Sequence, residues 1–218
     1  MNVVPYTQHP QLQPEDKFRF ECKKCGECCR NVAHAVMIES LDLFRIAKYL
    51  NVDVAEAANK CAETITVAWG APILALKTKP HGDVCIFLKK GKCSIQQAKP
   101  RACRMYPLSM GPSDKNIKDF LIFKSPEKSF HYVGREYLVK EWVDANFDQE
   151  ARTYIVEEYR LLQDIGRILK QIPRERENEV IVKMLQFRYL LYETNQEFMP
   201  QFKRNMKQLI DELKRLIK

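Results

Sequence analysis

Hydrophobic and polar positions change their rhythm twice along the chain. Residues 1–17, MNVVPYTQHPQLQPEDK, contain three prolines and no apolar period, which predicts an extended or loosely docked arm. From Ser40, a residue suited to capping a helix, Leu41, Phe44, Ala47 and Leu50 recur at three-residue spacing and so share one helical face, and Asn51 interrupts it. Asp53 followed by Glu56 is a variant of the capping box and opens a second short helix that reaches about Cys61. The rhythm then turns to that of strands. ETITVAWG and PILALKT alternate or run apolar on either side of Gly70 and Pro72, DVCIFL–KKGK–CSI reads as a hairpin turning at Gly91, and IKDFLIF, Ile117 to Phe123, is one more strand.

From about Gly134 onward the period is helical. Tyr154, Ile155, Tyr159, Leu162, Ile165, Ile168 and Leu169 form a stripe at spacings of three and four that Pro173 closes. A second helix is expected over roughly Asn178 to Glu193. A third begins near Pro200, with Phe202, Met206, Leu209, Ile210, Leu213, Leu216 and Ile217 as its apolar face. Such stripes pack a core or, failing that, offer a surface to a protein partner. There is no internal repeat and no low-complexity tract. The fold class expected is α+β: a small cysteine-rich, metal-stapled half with a hairpin or short sheet and two short helices over 18–130, then an α-helical half over 131–218.

Composition narrows the chemistry. The 218 residues are 45% hydrophobic, enough to bury a core. The first residues lack the apolar run of a secretory leader, and no segment approaches the ~18 apolar residues of a membrane span, so a cytosolic protein is expected. A reducing compartment keeps thiols free, and eight cysteines in 218 residues fall well short of a disulfide scaffold. The net charge of +8 is spread along the chain, with 22 basic against 17 acidic residues over 1–149 and 14 against 11 over 150–218. With no basic block and no interleaved aromatics, this describes a solvated face rather than a nucleic-acid surface.

The cysteines are where the pattern becomes specific. FECKKCGECCRN places Cys22, Cys25, Cys28 and Cys29 within eight positions. In Cys22-Lys23-Lys24-Cys25-Gly26 the two-residue spacer turns both sulfurs toward one ion, and the glycine supplies the positive φ of a tight turn, which is a metal-knuckle signature. Cys28 and Cys29, if extended, point to opposite sides and serve two metal positions, or one of them is spare. Cys61, Cys85, Cys93 and Cys103 follow. Cys85 and Cys93 bracket the expected hairpin, and Cys103 sits in KPRACRMYP, a loop stiffened by Pro100 and Pro107. Lys23, Lys24 and Arg30 flank the first group, while Lys89, Lys90, Lys92, Lys99, Arg101 and Arg104 flank the second, and positive neighbours favour the thiolate. A lone thioredoxin-type dithiol does not fit the crowding, and the ferredoxin run fails because Cys29 adjoins Cys28 and Arg30 follows. No P-loop, dinucleotide fingerprint, zincin helix or nucleophile elbow occurs.

FECKKCGECC, CIFL, GKCSI and KPRACRMYP, with the insert LDLFRIAKYLNV, resemble the YkgJ-type cysteine-cluster family, the CxxCxxCC zinc- or iron-chelating domain, over roughly residues 18 to 110. The resemblance implies that Cys22, Cys25, Cys28, Cys29, Cys85, Cys93 and Cys103 hold metal. Cys61 lies outside the pattern and reads as a small buried apolar residue. Lys99 stands where the family commonly has Arg, which keeps charge but not two-pronged hydrogen bonding. Seven sulfurs do not divide into closed sites of four, so a second ion would need a partner such as Cys61, His81 or His34, or a bridging thiolate or a water. A [4Fe–4S] cluster is the favoured cofactor, with a redox or cluster-dependent catalytic role. Zinc in a stapled interaction module is the alternative. The resemblance adds a third class, since the same domain occurs in flagellin lysine N-methylases.

Overall fold

The computed structural model of the protein describes residues 10–67, 71–80, 82–113, 119–124 and 132–217. The chain is α+β. Short antiparallel strands carry the first half and helices the second, and one hydrophobic core runs from Phe18 to Leu216 through both.

Of the expected extended or loosely docked arm, residues 11–12 and 17 are extended and paired in strands, the second of which runs on to Arg19. β1 (Gln11–Leu12) lies against the strand Phe120–Lys124, and β2 (Lys17–Arg19) against Glu136–Leu138. Unpaired backbone N–H and C=O groups on those partner strands supply the reason. Phe20 N–H extends the second pairing to the carbonyl of Arg135 at 3.1 Å, which ties the start of the cysteine loop to the start of the helical half. β3 (Met37–Ile38) leads into α1 (Ser40–Leu50). Glu39, not Ser40, is the N-cap residue of α1. Ser40 is instead fully buried: its hydroxyl donates to the carbonyl of Arg188 at 2.6 Å and its N–H to the Tyr154 hydroxyl at 3.2 Å. α2 (Val54–Cys61) begins as expected, with the Asp53 carboxylate accepting Glu56 N–H at 2.7 Å.

β4 (Ala62–Thr66) and β5 (Pro72–Leu76) are the two strands expected here, and they pair antiparallel, with β3 on the other edge of β5. The hairpin is shorter than expected, two residues a side: β6 (Leu88–Lys89) and β7 (Lys92–Cys93), joined through Lys90 and Gly91, both at positive φ. KPRACRMYP is not a loop. Pro100 opens a five-residue helix, α3 (Arg101–Met105), as a proline that pre-sets φ at a helix start does. β8 (Leu108–Pro112) then pairs with β9 (Phe120–Lys124), and β10 (Glu136–Leu138) leads into α4 (Val139–Asn146).

α5 (Gln149–Leu169) carries the first stripe and α7 (Phe198–Arg215) the third, with Pro200 in its first turn. Tyr154, Ile165, Phe202, Met206, Leu209 and Leu213 are all in the core. Between these helices, α6 (Glu177–Met184) continues into a π-helical turn over Leu185–Leu190 instead of an unbroken α-helix to Glu193. That turn takes Arg188 inward to the carboxylate of Glu158 at 2.9 Å, both side chains almost wholly buried. Among the described residues no helix is long and apolar enough to cross a membrane.

Candidate metal centre

The cysteine loop is bent before it reaches its second pair. Lys24 and Gly26 both take positive φ, at 52° and 73°, and the chain then winds into a 3-10 turn over Glu27–Cys29 closed by Cys29 N–H to the Gly26 carbonyl at 3.0 Å. Cys28 and Cys29 are therefore not extended and do not point to opposite sides. Their sulfurs are hydrogen-bonded to one another, and Cys29 is bonded in turn to Cys85. Backbone holds the same junction, since Cys85 N–H donates to the Cys29 carbonyl at 2.8 Å.

Two more elements close on this point. The β6–β7 hairpin brings Cys93, with Gly91 seated so near Gly26 that a Cβ on Gly26 would stand 3.1 Å from the Gly91 carbonyl oxygen. α3 brings Cys103, and α3 is held from behind by α1. The Asp42 carboxylate accepts Arg101 N–H at 2.8 Å, and the Glu39 carboxylate takes Arg101 Nε at 3.0 Å. Burial and the neighbouring Glu39 push the Asp42 carboxyl up to about 7.

The result is one cavity of about 620 Å³ with Cys22, Cys25, Cys28, Cys29, Cys93 and Cys103 in its wall. Cys85 lies behind Cys29, its sulfur accepting Phe87 N–H at 3.4 Å. Cys22 and Cys25 stand exposed at the mouth. None of the eight cysteines is joined in a disulfide. Among the described residues no three Cys, His, Asp or Glu side chains are drawn to the spacing of a finished metal site; the sulfurs surround a space rather than fill it.

Their proton affinities record the crowding. The Cys28 thiol is held well above its usual range by its hydrogen bond to Cys29 and by burial. For Cys29 the bond to Cys28 pulls downward, but the bond to Cys85, burial and the nearby sulfurs outweigh it and push the thiol up to about 11. Cys103 is raised by burial and then by Cys29 and Cys28. Cys85 is lowered, chiefly by the Cys29 hydrogen bond. Lys99 eases Cys28 and Cys103 toward the thiolate.

A family model described as "CxxCxxCC: Putative zinc- or iron-chelating domain" matches residues 21–129. The chain belongs to this family. An uncharacterised protein of Methanocaldococcus jannaschii is 32% identical to it over 93 residues, which span 42% of this chain and 46% of that protein, so under half of the relative is covered. No solved structure matches the chain.

The donor set of this CxxCxxCC protein suits a soft cation. Thiolates select zinc and iron–sulfur clusters, and sulfurs that raise one another's pKa by mutual repulsion are relieved by positive charge among them. The other candidates stand apart. Cys61 is buried at the end of α2, outside the cavity wall, its thiol pushed up to about 12 by burial. His34 is exposed, with Nδ1 3.3 Å from Glu63 Oε1. His81 lies outside the described residues. Three wall residues had no signal in the sequence, Gln96 and, on α4, Trp142 and Asn146. Trp142 Nε1–H donates to the Met105 carbonyl at 3.0 Å, which seats α4 on the end of α3.

Proposed function

We propose that the chain is a cytosolic iron–sulfur protein in which Cys22, Cys25, Cys28, Cys29, Cys85, Cys93 and Cys103 supply the ligands of a [4Fe–4S] cluster and of a second, open metal position, and that its role is redox. The observation that supports this reading is the open cavity at the sulfurs. A structural zinc site is closed by four ligands and shielded, whereas here six thiols line about 620 Å³, with Cys85 behind Cys29 and with Cys22 and Cys25 exposed. Reaction sites keep such openings. The Phe87 N–H on Cys85 sulfur and the lysines along the wall are of the kind that set a cluster's potential.

Anaerobic purification tests it. Wild-type protein should be brown, with iron and acid-labile sulfide in elemental analysis, and Cys25→Ser should lose colour and iron together. A colourless preparation holding stoichiometric zinc would replace this reading with a zinc-stapled interaction module.

A further inference from the structure

The metal proposed above takes part of the cavity at the sulfurs, and the whole space of about 620 Å³ lies within the ~300–1,000 Å³ range of small-molecule sites. The wall of that space has a consistent character. Lys23, Lys24, Lys92, Lys99 and Arg104 line it, and no Asp or Glu does. Lys23 is engaged by Glu21 at 2.5 Å. Lys99 and Arg104 have no carboxylate within salt-bridge distance among the described residues.

Arg104 is the unusual member. Its Nε and Nη2 are out of contact with water and have no hydrogen-bond partner. These two donors form one edge of the guanidinium, the edge that grips a carboxylate or phosphate with two parallel bonds. Asp42 and Asp148 lie within electrostatic reach of its charge, but a donor left dry without a hydrogen bond costs on the order of 1–3 kcal/mol, so natural proteins rarely keep one without a use. The wall also carries aromatic side chains. Phe20 packs edge-on against Tyr106 at 5.7 Å and against Trp142 at 5.3 Å, and all three rings border the cavity.

We infer that this cavity also binds a small organic anion, a flat apolar body carrying one carboxylate or phosphate, with Lys99 and Arg104 on the charged end and Phe20, Tyr106 and Trp142 along the body. The inference rests on the metal reading for what lies beside the anion, and on the cations and rings for the anion itself. Arg104 borders the cavity while its Nε and Nη2 are turned away from solvent, so gripping the ligand with that edge requires its side chain to turn.

Calorimetric titration of the full chain, with metal content measured on each preparation, tests it with three probes: phenyl phosphate, benzoate and neutral benzyl alcohol. At least one of the two anions should bind one to one and benzyl alcohol should not; which anion wins distinguishes a phosphate from a carboxylate ligand. Lys99→Gln and Arg104→Gln should each weaken binding by about tenfold or more, the size of a charge-assisted hydrogen bond, when compared with wild type at equal metal content. Lys99→Gln carries the test if Arg104→Gln melts early. Failure of both anions to bind, or equal binding by the double variant, overturns the inference. So does loss of metal from these variants with no effect on the probes, which would assign the cations to neutralising thiolates. Anion binding by a preparation free of metal would leave this site standing and remove the cluster instead.

Discussion

At the scale of single residues, the thiols of this protein differ because of what surrounds each sulfur. Cys29 sits between Cys28 and Cys85 and is pushed up to about 11, and Cys103 is raised by burial beside Cys29 and Cys28. Metal binds the thiolate, so each raised thiol must first lose a proton. The sign follows: as pH falls, protons held more tightly than in a free cysteine displace the metal, and apparent affinity drops by about tenfold per pH unit for every thiol involved. Competition against a chromophoric chelator between about pH 8 and about pH 6 should therefore show three or more decades lost per unit. A slope near one would remove most of these sulfurs from the ligand set. Cys61→Ala should leave both slope and metal content unchanged, because that sulfur is buried on α2 outside the cavity. The FECKKCGECC motif made the knuckle legible in the sequence. Trp142 stayed invisible because it stands some forty positions beyond Cys103 on an ordinary amphipathic helix, and only the seating of α4 on Met105 puts it in the wall.

Elements decide whether those residues meet. The knuckle and the β6–β7 hairpin touch through Gly26, where a Cβ would stand 2.8 Å from Leu88 Cδ1 at a φ of 73°. Gly26→Ala should cost about 1–3 kcal/mol in strain and move the loop off the hairpin, seen as a lower melting temperature together with reduced metal content. In the helical half, the π-helical turn delivers Arg188 to Glu158, with side-chain exposures of 9% and 3%. Glu158→Ala leaves the guanidinium buried and unpaired, so denaturant unfolding should show a loss of about 3–5 kcal/mol, much of it recovered when Arg188→Met is added. α5 and α7 were readable because a 3.6 period sustained over five turns or so has one interpretation. α3 and the π-helical turn were not. Five residues between two prolines carry too little period to separate helix from loop, and LQFRYL has an α-helical pattern until Ser40 and Glu158 offer it partners from elsewhere in the chain.

For the molecule as a whole, the cysteine-bearing and helical halves share one core. β2 pairs with β10, Ser40 bonds to the Arg188 carbonyl, and Arg45 of α1 holds Asp148 at the start of α5 at 2.8 Å. Metal bound at the cysteines should accordingly stabilise both. Where free metal stands about a thousandfold above Kd, binding adds ~4 kcal/mol, and stripping it by chelation should lower the single melting transition by about 10 °C for a chain of this size. Two transitions, only one of them moved by the chelator, would mean that the halves unfold independently. By itself the sequence determined the class of elements, the long helices and the kind of cation the thiols want, because periodicity and ligand chemistry are local properties. Which sulfurs face one another, the basic and aromatic wall beside them and the buried Arg188–Glu158 pair were decided only by tertiary structure, since each joins residues whose separation along the chain leaves no mark in the order of the amino acids.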